Sequence, residues 1–167
     1  MLVSKKPKSS LLPLHWQHRF IQECRNISQW SKDRSTKQGS LIVHPQHRTI
    51  LATGYNGFTD GMDDNDPTLH ERPLKYTYCE HAERNALYNC CRYGVATEGC
   101  VMFVTGWSCP DCARGIIRSG ISALYIDGAS VGGDFDTRWK PVTQHSNVMF
   151  RKAGVKIIVV DSPSDGG

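Results

Sequence analysis

The chain has 167 residues, of which 39% are hydrophobic and 22% charged, so it is long enough for one compact core and gives no indication of a second. Its net charge of +4 is a mild excess, which suits an anionic small molecule. Stable nucleic-acid binders concentrate far more basic residues on one face, and no apolar run approaches the roughly 20 residues that span a bilayer, so neither class is indicated.

Helical and strand patterns alternate along the chain. In chain order they predict a helix over 15–30, strands over 41–43 and 49–52, a long loop over 54–73, a helix over 81–93, a strand over 101–105, a helix over 110–119, a strand over 123–126, a helix over 146–152 and a strand over 155–160. Gly120 directly follows the third helix, where a helix C-cap is expected.

This order predicts an α/β fold, a three-layer α/β/α sandwich with one mixed sheet of about five strands. The later strands should be parallel, because each crossover between them carries a helix. We expect a single domain over 14–161. Residues 1–13, rich in Lys, Ser and Pro, are expected to form a flexible basic segment, and residues 162–167 a flexible tail.

The seven cysteines are an odd number, with spacings unlike those of a small disulfide scaffold. Reduced thiols in a cytoplasmic protein are the simpler interpretation, and some of them are then available to bind a metal. The start of the chain has no apolar stretch after its basic residues, so no secretory signal is expected.

Two short motifs carry metal-binding side chains, and each opens a predicted helix. One contains His81 and Glu83, and the other contains Cys109 and Cys112. One His and two Cys give three zinc ligands and leave a fourth tetrahedral position for water, as in catalytic zinc sites. An H-x-E motif followed by a C-x-x-C motif is the signature of the zinc deaminases that act on nucleobases.

The spacing within each motif fits a shared site. Cys109 and Cys112 are three apart, so both sulfurs can face one point at the start of a helix, with Pro110 at its first position. His81 and Glu83 are two apart, about 200° on a regular helix, so they can share a site only at the entering turn. His81 would then reach the metal, and Glu83 the bound water.

Other interpretations of the motifs remain open. A lone H-x-E occurs often by chance, and C-x-x-C also serves as a redox pair or as half of a four-Cys structural zinc site. Cys79, two residues before His81, is either a spare ligand or a packed side chain. The order of the two motifs and the helix behind each favour the deaminase interpretation.

The chain resembles the deoxycytidylate deaminase family over roughly residues 18–160. The similar segments are S-K-D at 31–33 with Gly39, G-Y-N-G at 54–57 with Gly61 and Asp64, K-Y at 75–76, H-A-E-x-N-A at 81–86, C-x-x-C-A at 109–113 with G-I at 120–121, Trp139, Met149 and A-G-V at 153–155. The chain departs from the family's pattern at Ser108, Thr59 and Gln38, where the family has Pro, Pro and a small apolar residue.

The resemblance implies a cytidine deaminase-like fold, one catalytic Zn²⁺ per chain, Glu83 as the acid and base, and hydrolysis of dCMP to dUMP and ammonia. It also implies a homo-oligomer, a hexamer in the family, with dCTP and dTTP as effectors. The same chemistry on dCTP, a modified cytosine nucleotide, cytidine or an exposed base in RNA remains an alternative. So does a catalytically silent zinc module that binds nucleotides.

Five further residues are candidates for substrate contacts. By resemblance, Asn56 would bind the deoxyribose 3′-hydroxyl, and the backbone near Ala82 would read the base edge. The alternative for Asn56 is that Asn-Gly is simply a favoured turn. Lys32 and Arg34 are candidates for the 5′-phosphate or plain surface charges, and Trp107, two residues before a metal ligand, either lines the base pocket or packs as an ordinary aromatic.

Overall fold

The computed structural model describes residues 11–132 and 134–161, with only the backbone at 134–136 and 138. The helices are α1 (Leu14–Ser28), α2 (Leu74–Tyr78), α3 (Ala82–Arg92), α4 (Pro110–Arg118) and α5 (Asp134–Ala153). The strands are β1 (Gly39–His44), β2 (Thr49–Tyr55), β3 (Gly57–Phe58), β4 (Cys79–Glu80), β5 (Val101–Val104), β6 (Ala123–Asp127) and β7 (Lys156–Val160). The predicted tail and most of the predicted N-terminal segment lie outside the described residues.

A five-stranded mixed sheet forms the centre of the fold, in the order β2-β1-β5-β6-β7. β1 pairs antiparallel with both β2 and β5, whereas β5, β6 and β7 are parallel. The predicted α/β class and the parallel arrangement of the later strands are therefore confirmed. The parallel strands require crossovers, and α4 and α5 provide them.

The strands bury both faces, because successive side chains point to opposite sides of the sheet. Leu41, Val43 and Phe103 face α1, and Ile42 and Met102 face the layer of α3, α4 and α5. One hydrophobic core therefore lies on each side of the sheet. The sheet and the helices packed on its two faces form the predicted three layers.

The N-terminal edge of the fold begins before the predicted boundary at residue 14. Leu12 is buried in the α1 core. Its backbone N–H donates to the Tyr125 hydroxyl, and its carbonyl accepts from Gln17. Leu12 therefore belongs with the folded domain.

Two predicted elements differ from the structure. The loop expected over 54–73 contains β3, which pairs with β4, and a 3₁₀ helix over Pro67–His70 whose first turn is capped by the Asp66 carboxylate. The helix expected to begin at Ser146 begins at Asp134 and continues through Pro141. The longer helix includes a proline, although proline removes a helix N–H and usually ends a helix.

Glycine at position 54 allows α3 to pack directly on β2. A Cβ at Gly54 would lie 2.2 Å from the Ala82 carbonyl oxygen and 2.5 Å from the Ala86 nitrogen, closer than real atoms approach. The start of α3 is thereby held against the end of β2. Within the described residues, no helix is both long enough and apolar enough to cross a membrane.

Candidate active site

His81, Cys109 and Cys112 converge at the starts of α3 and α4. The His81 Nδ1 atom lies 3.4 Å from the Cys109 sulfur and 3.5 Å from the Cys112 sulfur. All three ligand atoms lie within 4.8 Å of one another, and among the described residues this is the group of His, Cys, Asp and Glu side chains that could hold a metal ion.

These distances fit a zinc ion. With Zn–S near 2.3 Å and Zn–N near 2.0 Å, a tetrahedral ion separates its nitrogen and sulfur ligands by about 3.5 Å. The separations of His81 from Cys109 and Cys112 agree with this value. Three protein ligands leave one position for water or substrate, which is the arrangement of a catalytic rather than a structural zinc site.

The helix starts explain how the ligands meet. His81 is the N-cap of α3, with an extended backbone (φ −84°, ψ 151°), and Glu83 is in the first turn. The extended residue removes the divergence that two positions would have inside a helix, so His81 and Glu83 line the same cavity. Cys109 is likewise the N-cap of α4, with Pro110 in the first turn behind it.

The site favours a thiolate at Cys109. The Cys112 side chain and then His81 hold the pKa of Cys109 down, at about 4, against the effect of burial. The backbone N–H of Cys112 also donates to the Cys109 sulfur, over 3.5 Å. A thiolate is the form of cysteine that binds a metal, so Cys109 is suited to act as a ligand.

Glu83 lies in an environment that raises the pKa of its side chain, whereas that of Cys109 is lowered. Its side chain is buried, and burial raises the pKa of its carboxyl, while the nearby His81 opposes the rise. Since a buried carboxylate is poorly solvated, it both accepts and returns a proton more readily near neutral pH than an exposed one.

One open cavity joins the metal-ligand group to most of the other candidate residues. It is lined by Asp33, Thr36, Gln38, Asn56, Arg72, Lys75, Tyr76, Cys79, His81, Ala82, Glu83, Trp107, Cys109 and Trp139. Asn56, Ala82 and Trp107 thus lie on the wall of the same cavity as His81 and Cys109. The indole N–H of Trp107 is buried and has no hydrogen-bond partner among the described residues.

Asn56 is buried, and its side-chain amide makes three hydrogen bonds. Its side-chain nitrogen donates to the Asp33 carboxylate at 3.1 Å and to the Thr36 carbonyl at 2.9 Å, and its oxygen accepts from the Gln38 backbone N–H at 2.7 Å. Both amide hydrogens are therefore in use. The free capacity of the side chain is the second lone pair of its oxygen, which can only accept.

The two cations that the sequence proposed for phosphate lie outside this cavity. Lys32 is exposed, lies 3.9 Å from Asp64 and lines a smaller neighbouring depression. Arg34 is exposed and lines neither. The cations on the cavity wall are instead Arg72 and Lys75.

Lys75 is a buried cation that forms an ion pair with Asp33. Its ammonium group lies 2.7 Å from the Asp33 carboxylate and donates to the Ser35 hydroxyl at 2.5 Å. Arg72 is exposed, its guanidinium lies 5.8 Å from the centre of the Tyr76 ring, and among the described residues it forms no ion pair.

Sequence reasoning missed Asp33, Gln38, Arg72 and Lys75 as site residues. The S-K-D and K-Y segments contain two of them and carried part of the family resemblance, so a signal existed for Asp33 and Lys75. Cys79 is also on the cavity wall but outside the metal-ligand group, and burial raises the pKa of its thiol to about 11. It therefore remains a neutral thiol at physiological pH.

Known proteins are similar to this chain in sequence. The model of the family described as the cytidine and deoxycytidylate deaminase zinc-binding region matches residues 14–127. A protein named uncharacterized deaminase in the luxG 3′ region, from Aliivibrio fischeri, is 39% identical over 142 residues, covering 85% of this chain and 91% of its own. Deoxycytidylate deaminase of Homo sapiens is 30% identical over 159 residues, covering 90% and 88%.

A solved structure shows the same fold. The crystal structure of dCMP deaminase from the cyanophage S-TIM5 in complex with dCMP and dUMP matches with a TM-score of 0.70 and 22% identity, over 90% of this chain and 99% of that one. The zinc-binding region that defines the family spans both halves of the metal-ligand group described above. The chain therefore belongs to the cytidine and deoxycytidylate deaminase family, whose members are hydrolases acting on carbon–nitrogen bonds.

Proposed function

We propose that the protein is a zinc-dependent hydrolase that converts dCMP and water to dUMP and ammonia. The observation that carries the proposal is that His81, Cys109 and Cys112 approach to zinc-binding distances, and that His81 and Cys109 line one cavity together with the buried Glu83. The relatives named deoxycytidylate deaminase, and a structural match in complex with dCMP and dUMP, favour a cytosine deoxynucleotide.

His81, Cys109 and Cys112 would hold the ion, one per chain. A bound zinc ion lowers the pKa of a coordinated water toward neutrality, which supplies a nucleophile without a strong base. Glu83 would accept one proton from the attacking water and deliver it to N3 of the cytosine ring, while the water oxygen bonds to C4. Glu83 would then take the second proton from the oxygen on C4 and pass it to the amino group, so that the C4–N bond breaks, C4 becomes a carbonyl and ammonia leaves.

The cavity wall suits the rest of the nucleotide. The indole ring of Trp107 offers an apolar surface for the base, with an unused N–H, and the backbone at Ala82 lies beside the ligands. Asn56 offers its oxygen to a sugar hydroxyl. Arg72 is the better candidate for the 5′-phosphate, because the charge of Lys75 is already matched by Asp33.

The family resemblance extends the proposal to assembly and regulation. It suggests a cytoplasmic homo-oligomer, a hexamer by analogy, that responds to dCTP and dTTP. Sedimentation would give the oligomeric state, and rates measured with and without each triphosphate would show any regulation.

Two alternatives make different predictions. The same chemistry on cytidine would leave Arg72 without a phosphate, so deoxycytidine and cytidine would be better substrates than dCMP. A catalytically silent zinc module would bind one zinc and a nucleotide but release no ammonia. The presence of Glu83 in the cavity favours an enzyme, since a structural zinc site has no use for a buried acid there.

The test is ammonia release from dCMP, dCTP, deoxycytidine, cytidine and a tRNA anticodon stem. We expect dCMP to be the best substrate and Glu83→Gln to abolish turnover while zinc stays bound. Because Gln keeps the shape of Glu but cannot carry the proton, unchanged turnover in this variant would refute the assigned role. A fall in bound zinc would show that Glu83 shapes the metal site instead.

A further inference from the structure

The side-chain amide of Gln38 is a fixed polar group on the cavity wall. Gln38 is half-buried, and its side-chain oxygen accepts a hydrogen bond from the Thr105 hydroxyl at 2.6 Å. Thr105 directly follows β5, at the carboxyl edge of the sheet, so the amide is anchored to a rigid element.

The Thr105 hydroxyl decides which way the amide faces. It accepts from the Gly39 backbone N–H at 2.9 Å, so its own proton is free to be donated. The Gly39 carbonyl is a poor alternative, because it lies 3.4 Å away and already accepts from the Thr105 backbone N–H. The proton therefore goes to the Gln38 oxygen, and the Gln38 nitrogen is left with its hydrogens.

Glycine at position 106 makes room for this amide. A Cβ there would lie 2.9 Å from the Gln38 side-chain oxygen and 3.3 Å from its nitrogen. The amide thus packs closely against Gly106, with the base-pocket candidate Trp107 next in the chain. Among the described residues the side-chain nitrogen of Gln38 makes no hydrogen bond, so this cavity-lining residue has a donor left for a ligand.

Asn56 presents the complementary group. With both of its N–H groups committed to Asp33 and Thr36, it can only accept a hydrogen bond from a substrate. A sugar hydroxyl bound there must donate its proton to Asn56, and its own oxygen then needs a donor. The backbone N–H of Gln38 occupies one lone pair of the Asn56 oxygen, which places the two residues side by side.

We propose that the Gln38 side-chain nitrogen donates to the sugar 3′-hydroxyl that Asn56 accepts from, so that the pair selects nucleotides that carry this hydroxyl. The inference rests on the proposed function, and it makes Gln38 a specificity-determining residue. Neither residue acts on the reacting carbon, so the effect lies in the choice of substrate and not in the proton transfers of Glu83.

The test compares dCMP with 2′,3′-dideoxycytidine monophosphate in the wild type and in Gln38→Leu. In the wild type, loss of the hydroxyl should lower kcat/KM about tenfold, because a buried acceptor and donor are both left unpaired. In Gln38→Leu, kcat/KM for dCMP should fall about tenfold while the dideoxy substrate changes little. The matched control is Gln22→Leu, which removes an exposed amide from α1 and should change neither rate.

Equal losses on both substrates in Gln38→Leu, or no preference for the hydroxyl in the wild type, would overturn the inference while leaving the deaminase function intact. A wild type that releases no ammonia from dCMP would instead refute the proposed function. If Gln38→Leu does not fold, Gln38→Glu keeps the shape and replaces the donor by an acceptor. That variant should also lose the selectivity, and retention of selectivity would count against the proposal.

Discussion

Replacing Lys75 by methionine isolates the most deeply buried ion pair that lines the cavity. Lys75 and Asp33 are 8% and 7% exposed, and their charged atoms are 2.7 Å apart. Methionine keeps the length and the apolar stem of the side chain but leaves the Asp33 carboxylate buried without a cation. Removing one partner of such a pair costs about 3–5 kcal/mol of unfolding free energy, or roughly 10 °C in Tm for a chain of this size.

The pKa of Asp33 gives the pH dependence. Burial alone would raise this pKa, but hydrogen bonds from Lys75 and from the backbone N–H groups of Ser35 and Thr36 outweigh burial and lower it. A carboxylate with a lowered pKa stabilises the folded state above its unfolded pKa of about 3.9, and loses this contribution as the pH falls through the folded value. In Lys75→Met fewer interactions oppose the effect of burial on the pKa of Asp33. The free energy of unfolding should therefore fall furthest below that of wild type near pH 7, and this difference should shrink below about pH 4.

Urea unfolding of wild type and variant between pH 3 and 7 measures this difference. The matched control is Arg92→Met, which removes an exposed ion pair with Asp60 and should leave the stability close to wild type. In the double variant Asp33→Asn, Lys75→Met the unpaired charge is gone, so part of the loss should return. A Lys75→Met variant as stable as Arg92→Met at pH 7 would refute the reasoning.

Three further predictions concern the metal and the substrate. Cys112→Ala should reduce bound zinc from about one per chain to almost none by metal analysis, whereas the exposed Cys91→Ala should keep it. Gly54→Ala should cost roughly 1–3 kcal/mol and weaken zinc binding by displacing the start of α3, and Gly57→Ala, whose Cβ would meet nothing nearer than 3.8 Å, should do neither. Arg72→Ala should raise KM for dCMP about fivefold but not for deoxycytidine, and equal effects on both would remove Arg72 from the phosphate site.

Local signals were enough to predict the sheet, most helices and the metal-ligand group. Continuous apolar runs mark β1 and β5, and the spacing of Cys109 and Cys112 is set by a single helical turn. His81 and Glu83 could be placed at an entering turn because regular helix geometry forbids any other shared site. Such inferences succeed because the interactions that decide them lie within a few residues along the chain.

The limits of the sequence appear at Pro141 and in the loop after β2. The pattern at 146–152 covers only the last part of α5, which extends through Pro141 and packs against α4 and β7. The strand pair β3–β4 joins residues more than twenty positions apart, which no local pattern reveals.

The amino-acid sequence alone determined that three ligands and an acid open two helices of an α/β sandwich, since cap residues and helical spacing are local properties. Only the tertiary structure decided what surrounds them. The fold pairs Lys75 with Asp33, and it gives both side-chain N–H hydrogens of Asn56 an acceptor. A hydrogen bond from Thr105 orients the side chain of Gln38. The cavity wall carries Arg72, whereas Lys32 and Arg34 lie outside it. Hydrogen-bond capacity and charge balance depend on partners brought together by the fold, so the residues that choose the substrate became visible only there.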